Sequence, residues 1–403
     1  MHILLIHQAF ATIDEAGGTR HHELARALVQ EGQRVTIIAS PISYLTGKAD
    51  REYKKIVQEN GITIFRVSTY PALHRSFFHR LISFFSFMNS SFFQAMRVPE
   101  VDLVWGTTPP IFQGLTAWAV ARLKGVPFVF EVRDLWPAFA IAVGVLKNKT
   151  LIRLSQGLEK FLYHRADALI VNSPGFIEHV RQRGATAVHL VPNSVDPAMF
   201  PPHEDGNAFR QQHGWKNKFL VLYTGAHGMS NDLPVVIEAA ELLKYSEDIH
   251  FVLLGDGKEK PALMDLVQQK GLQNITFLPS VEKKEIGAVM AAANCCIAIL
   301  KPIDLYKTTY PNKVFDYMAA GKAIVLAIDG VIREVVEDAR CGIFVRPGDA
   351  AAMAQAIRSL YGAPKKCEEM GQRGRVYVEQ HFNRQSTAQQ LLQVLQKVVK
   401  KNG

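Results

Sequence analysis

The 403-residue chain has only four cysteines, Cys295, Cys296, Cys341 and Cys367, and they lack metal-ligand spacing. Neighbouring Cys295 and Cys296 sit in an apolar run, where they read as small buried hydrophobes. That usage suits a reducing compartment. The opening run from Met1 to His7 has no basic n-region and no small-residue cleavage site, so it does not read as a signal peptide. It is also too short to span a bilayer and fits a buried first strand. No G-x-G-x-x-G follows that strand and no G-x-x-x-x-G-K-[ST] occurs anywhere. Both absences count against a dinucleotide oxidoreductase and a P-loop NTPase. No Asp-x-Asp motif offers a metal to a diphosphate.

What is present is an ordinary packed-protein composition, 48% apolar and 21% charged, in a chain too long for one core. Two domains are expected. The formal net charge of +9 suits an anionic partner, with nucleotide phosphates, an acidic membrane surface and nucleic acid all qualifying.

Short, continuously apolar runs alternate with helical patterns, as in a parallel sheet covered by helices on both faces. Strands are expected at Ile3–Ile6, Arg34–Ala39, Ile62–Val67, Leu103–Gly106, Phe128–Val132, Ala168–Val171 and Val188–Val191. A stretch rich in Pro, Asn and Asp from Pro192 to Gly206 then breaks regular structure and reads as a linker. The alternation restarts with Phe219–Tyr223, Ile249–Leu254, Ile275–Leu278, Cys296–Ile299, Ala323–Ala327 and Gly342–Val345. The fold class is therefore α/β, doubly wound in each half. The amphipathic tail Ser386–Val399 is expected to pack back across the junction.

Gly-rich turns follow the first strand of each half. Glu15-Ala16-Gly17-Gly18-Thr19 leads into a helix, and its glycines allow backbone amides to approach an anion or a sugar. A plain strand-to-helix turn explains the same residues. Tyr223-Thr224-Gly225-Ala226-His227-Gly228 repeats the geometry in the second half, where His227 either donates to phosphate or caps a turn. Leu254-Gly255-Asp256-Gly257-Lys258 adds a third such turn. The densest signal runs from Lys307 to Lys322. There Thr308 precedes a helix starting at Pro311 or Asn312, Lys307 and Lys313 can neutralise a diphosphate, and Asp316 can accept from ribose hydroxyls. Alone, this is a capped surface helix with solvated lysines; with two Gly-rich turns in the same half, a nucleotide-diphosphate site is the better reading. In the first half, Glu131, Arg133 and Asp134 end a strand beside Trp136, as an acid–base group or as an ion pair holding a loop. Residues 73–97 combine many phenylalanines with His74, Arg75, His79 and Arg80. That pattern fits either a core helix or an interfacial membrane helix, and Ser, Asn and Gln exclude a transmembrane span.

Together these residues resemble retaining, nucleotide-sugar-dependent glycosyltransferases of the GT-B fold and the family 4 type. The markers are Gly17-Gly18, Val191-Pro192-Asn193-Ser194-Val195-Asp196, Leu254-Gly255-Asp256-Gly257 and Val314–Lys322. Thr224–Met229, Glu131–Pro137 and Tyr306–Lys313 resemble the fucosaminyltransferase-like enzymes of O-antigen and capsule synthesis. The resemblance implies two Rossmann-like domains facing across a cleft: an acceptor domain over 1–195, a donor domain over 206–380, and a C-terminal helix over 381–403. It implies metal-independent transfer with no cofactor, from a nucleoside diphosphate sugar, UDP-linked, to a lipid-linked or saccharide acceptor. No nucleic-acid partner is expected, and the place of action would be cytoplasmic, on the inner face of the membrane. A GT-B-like sugar-nucleotide epimerase is the alternative. Four departures stand out. Thr308 occupies the slot of the family's first donor glutamate, Asp316 that of the second, and Arg133 that of a catalytic-region histidine. The phosphate-neutralising Arg and Lys that the family carries after the first strand of the second domain are missing, which passes the duty to Lys307 and Lys313.

Overall fold

A computed structural model describes residues 1–43, 55–59, 61–71, 77–202 and 204–402. The chain forms two compact units, one of Met1–Thr12, Gly18–Pro192 and Gln385–Gly403, the other of Ile13–Gly17 and Asn193–Arg384.

The first unit is built on β1 (His2–Ile6), β2 (Arg34–Ala39), β3 (Ile56–Glu59), β4 (Ile62–Arg66), β5 (Leu103–Thr107), β6 (Phe128–Val132), β7 (Ala168–Val171) and β8 (Val188–Leu190). Their order is β3-β4-β2-β1-β5-β6-β7-β8. Every pairing is parallel except β3 with β4. β1, β5 and β6 are buried along their whole length, which is why they read as unbroken apolar runs. The edge strand β3 was not expected from the sequence. Ile-Val-Gln-Glu is half exposed, so no apolar run marks it. Ala388, Leu391, Leu395 and Val398 of the C-terminal helix (Arg384–Asn402) join the core formed by Ile3, Leu5 and Leu24. Their spacing by three and four residues places all four on one helical stripe.

The second unit contains β9 (Phe219–Thr224), β10 (Ile249–Leu254), β11 (Ile275–Leu278), β12 (Cys295–Ile299), β13 (Ala323–Ala327) and β14 (Gly342–Phe344). They form an all-parallel sheet in the order β11-β10-β9-β12-β13-β14. Successive residues feed opposite cores. Val221 and Tyr223 pack in one, Leu220 and Leu222 in the other. All four cysteines are free and buried. In each sheet the strand order reverses beside the first strand, between β1 and β5 and between β9 and β12. The crevice outside the carboxyl ends at such a reversal is where open α/β sheets take ligands.

Candidate active site

In the first unit, β1, β5, β6 and the helix Arg20–Gln30 bring polar side chains together at the reversal point. Glu131, at the fourth position of β6, has no solvent exposure. Its Oε1 accepts from Arg20 Nε at 3.0 Å and its Oε2 from His21 Nε2 at 2.5 Å. Arg20 continues to the carbonyls of Val191 and Pro192, both at 2.7 Å, and so ties the start of the linker to the sheet. Burial alone would raise the Glu131 pKa, but His21, Arg20 and Arg133 outweigh it and hold the carboxyl well below its ordinary range. Of the two readings the sequence left for Glu131, acid–base group or ion pair, its geometry matches the ion pair. Both its oxygens are engaged and no face meets solvent, so it is an internal anchor. Because an ionised carboxylate only accepts, His21 carries its proton on Nε2. Burial lowers the His21 pKa to about 4 against the pull of Glu131, which keeps the ring neutral at physiological pH.

Arg133 is also a clamp. Its Nε donates to Thr108 O at 2.6 Å and Thr107 Oγ1 at 3.1 Å, and its NH2 reaches His7 Nε2 at 2.9 Å. A guanidinium has no acceptor, so His7 Nε2 accepts and its proton sits on Nδ1. That Nδ1 is buried and has no hydrogen-bond partner. Asp134 differs from its neighbours. Its Oδ1 is buried and makes no hydrogen bond, and burial raises its pKa to about 6 despite Arg133 and a backbone hydrogen bond from Trp136. Of the three ionisable groups here, Asp134 alone combines an unengaged oxygen with a pKa near neutrality, as a general base requires.

Gly17 has φ 147°, a backbone conformation that L side chains rarely adopt. It ends the segment Ile13–Gly17, whose Ile13 carbonyl accepts from Lys284 N at 3.3 Å and whose Asp14 pairs with Lys284 at 3.0 Å. At Gly18 an added Cβ would meet nothing within 4 Å, so space does not demand glycine there.

In the second unit the loops after β9 and β10 lie backbone to backbone. Gly225 N donates to Leu254 O at 3.0 Å and His227 N to Asp256 O at 2.8 Å. A Cβ on Gly255 would fall 1.9 Å from Gly225 O, and one on Gly257 2.4 Å from His227 O. Those glycines serve loop packing. His227 is fully buried, its ring set against Tyr223 and Phe277, and burial lowers its pKa to about 4. Neither of its ring nitrogens has a hydrogen-bond partner. Gly228 leaves room, with only Asn231 Nδ2 at 3.9 Å from a built Cβ.

Lys313 lies in the first turn of the helix Asn312–Ala319, behind Pro311 at the N-cap. Its Nζ stands 3.9 Å from the centre of the Tyr223 ring and 3.1 Å from where a Gly225 Cβ would be. Asn312 Oδ1, beside it, is buried without a partner. Asp316, one turn on, pairs with Lys283 Nζ at 2.7 Å. Thr308 Oγ1 donates to Leu305 O at 2.6 Å. Lys307 is half exposed and pairs with Asp304 at 2.8 Å, and Lys258 is exposed. The structure thus gathers Gly225, Lys313 and the start of this helix. Lys307 and Lys258 are solvated side chains. Sequence reasoning missed Lys283, Asn231, Arg20, His7 and His21. Only His21 had a local cue, four residues after Gly17 in a Gly-rich turn; Lys283 lies 33 residues from its partner Asp316.

The helix Phe77–Met96 has unusual sidedness. Ser83, Phe87, Ser91 and Ala95 are buried, while Phe78, Phe85 and Phe93 are 68%, 55% and 56% exposed. His74 and Arg75 lie outside the described residues. No helix among the described residues is long and apolar enough to cross a membrane.

Residues 205–377 match the family described as "Glycosyl transferases group 1", and residues 16–194 the family described as "Glycosyl transferase 4-like domain". The chain is 26% identical to WcaI of Escherichia coli, named as a colanic acid biosynthesis glycosyl transferase, over 85% of this chain and 88% of WcaI. Sucrose-phosphate synthase from Thermosynechococcus elongatus superposes with a TM-score of 0.80 at 19% identity, covering 99% of both chains. HepE of Anabaena, solved with UDP-glucose, does so with a TM-score of 0.76 at 18% identity, covering 98% of this chain and 100% of HepE.

Proposed function

Because the chain is a group 1 glycosyl transferase of the GT-B fold with a 4-like N-terminal domain, we propose that it moves a sugar from a UDP-linked donor to a lipid-linked saccharide in surface polysaccharide synthesis. The observation that carries the donor half is the Lys313 ammonium. It stands over Tyr223 beside the close-packed Gly225 loop, at the strand-order reversal, with no carboxylate paired to it among the described residues. The WcaI likeness supports the polysaccharide context, and the HepE–UDP-glucose complex supports the nucleotide.

In this reading the acceptor oxygen bonds to the sugar's anomeric carbon while the bond to the diphosphate oxygen breaks. Lys313 and the amides at the start of the helix Asn312–Ala319 stabilise the charge growing on the leaving diphosphate. Asp134 orients the acceptor hydroxyl and draws off its proton. In this reading the transfer retains anomeric configuration and uses no metal. The test is incubation of UDP-sugars with and without lipid-linked oligosaccharide, in buffer and in EDTA. UDP release that needs acceptor and survives EDTA is the expected result. Conversion of the sugar nucleotide without acceptor would instead make the protein an epimerase.

The proposal extends to the helix Phe77–Met96, whose exposed Phe78, Phe85 and Phe93 support a contact with the membrane interface that carries the acceptor. Burying a phenylalanine in an apolar environment is worth about 1.5–3 kcal/mol. Replacing Phe78, Phe85 and Phe93 together with serine should lower affinity for phosphatidylglycerol vesicles by at least tenfold, read by co-sedimentation. Unchanged binding would return this face to a purely structural role.

A further inference from the structure

Lys313 is an oddity for a phosphate-binding residue. Its Nζ has Asn231 Oδ1 at 3.5 Å, too long for a strong hydrogen bond, and the face of Tyr223 at 3.9 Å. Asn231 is held in place from the other end, its Nδ2 donating to Ala226 O at 2.9 Å. Tyr223 is fixed by its hydroxyl, which donates to the same carbonyl at 2.8 Å. Asn231 and Tyr223 therefore form a rigid seat that points one amide oxygen and one aromatic face at the lysine. Both are weak partners for a cation. The groups facing it from each surrounding element are Tyr223 on β9, Gly225 and His227 in the following loop, and Asn231 in the turn Met229–Asn231. None of them is anionic. Asp256 is committed to Lys260 and Ser280, and Asp316 to Lys283.

We propose that Tyr223, Asn231 and Lys313 form a proton-coupled anion seat, in which the lysine takes up a proton as the diphosphate arrives. The inference rests on the donor reading above. A buried ammonium without a counter-charge favours its neutral form, and a phosphate beside it restores the charged one. Burial lowers the Lys313 pKa to about 7. At pH 8 roughly nine in ten such lysines are then uncharged, and a bound diphosphate brings most of them back to the ammonium. The sign follows directly: binding takes up a proton, so affinity falls as pH rises above 7. The other titratable neighbours do not interfere. His227 is neutral, with its pKa lowered to about 4, and burial keeps the Tyr223 hydroxyl protonated well above pH 10.

The experiment is calorimetry of UDP binding to the intact chain at pH 8, in two buffers of different ionisation enthalpy. UDP itself is fully ionised there, since a terminal phosphate loses its second proton near pH 6. The expected result is uptake of about 0.8 proton per UDP and an affinity that weakens up to tenfold between pH 8 and pH 9. Lys313→Met, which cannot carry the charge, should bind UDP more weakly and lose both the uptake and the pH slope. Tight binding by the unmodified protein with no buffer-dependent heat would overturn the coupling and leave the donor reading standing. No UDP binding at either pH would overturn both.

Discussion

Asp134→Asn should lower turnover by about 10²–10⁴-fold while leaving UDP affinity unchanged, the range expected when one general base is lost. The carboxylate is what counts: with a pKa of about 6, kcat/KM in the unmodified protein should fall tenfold per unit below pH 6, while the decline above pH 7 belongs to Lys313. Stability moves the other way. A carboxyl whose pKa is raised on folding, here from 3.8 to about 6, binds its proton more tightly in the folded chain, so stability is lost as pH rises from about 4 to 6 and the loss is complete above that. The neutral amide avoids that cost, and Asp134→Asn should be more stable than the parent at pH 8, by on the order of 1–3 kcal/mol. An inactive but stabilised variant separates a chemical role from misfolding. A variant with full turnover would remove Asp134 from the reaction.

Glu131 three residues earlier should behave in the opposite way. Glu131→Ala takes the carboxylate from buried Arg20, which keeps its bonds to the Val191 and Pro192 carbonyls, and takes the acceptor from His21. Removing one partner of a buried ion pair costs about 3–5 kcal/mol, a large share of a domain's net stability. The urea midpoint of the first unit's transition should drop accordingly, and turnover should be lost with folding rather than ahead of it. The pH sign is also reversed. Because the folded pKa lies below the ordinary value of 4.5, the contribution is complete above that value and disappears as acid protonates the carboxyl. An unchanged urea midpoint in Glu131→Ala would mean that the Arg20–Glu131–His21 group adds nothing to stability. Two carboxylates three residues apart thus receive contrary assignments, and local sequence could not have divided them. Both end a strand beside an arginine; only the packing around β6 shows that one faces Arg20 and His21 and the other keeps a buried oxygen without a hydrogen bond.

The sheets themselves were legible. Strands covered on both faces have no polar side to show, so runs such as Ile249–Leu254 and Phe128–Val132 announce their own boundaries. The exposed edge strand Ile56–Glu59 did not, since it has one poorly covered face and two polar residues. Turn chemistry was equally readable: the Gly-rich loops after β9 and β10 and the helix start at Asn312 stand where the residues place them.

What the glycines are for was not legible. Gly255 and Gly257 permit one loop to lie against another, a requirement that appears only when Gly225 and His227 are brought beside them. The same holds for the charges. Lys307 and Lys313 are indistinguishable in sequence, yet one reaches solvent and pairs with Asp304 while the other is buried over Tyr223. The sequence alone determined the α/β class, the two-part organisation and the loops around the donor reading, because those depend on local periodicity and turn residues. Tertiary structure alone decided which carboxylate has both oxygens engaged, which keeps one unbonded, and which lysine has no paired carboxylate among the described residues. Desolvation and ion pairing are set by neighbours tens to hundreds of residues away along the chain, and no local pattern records them.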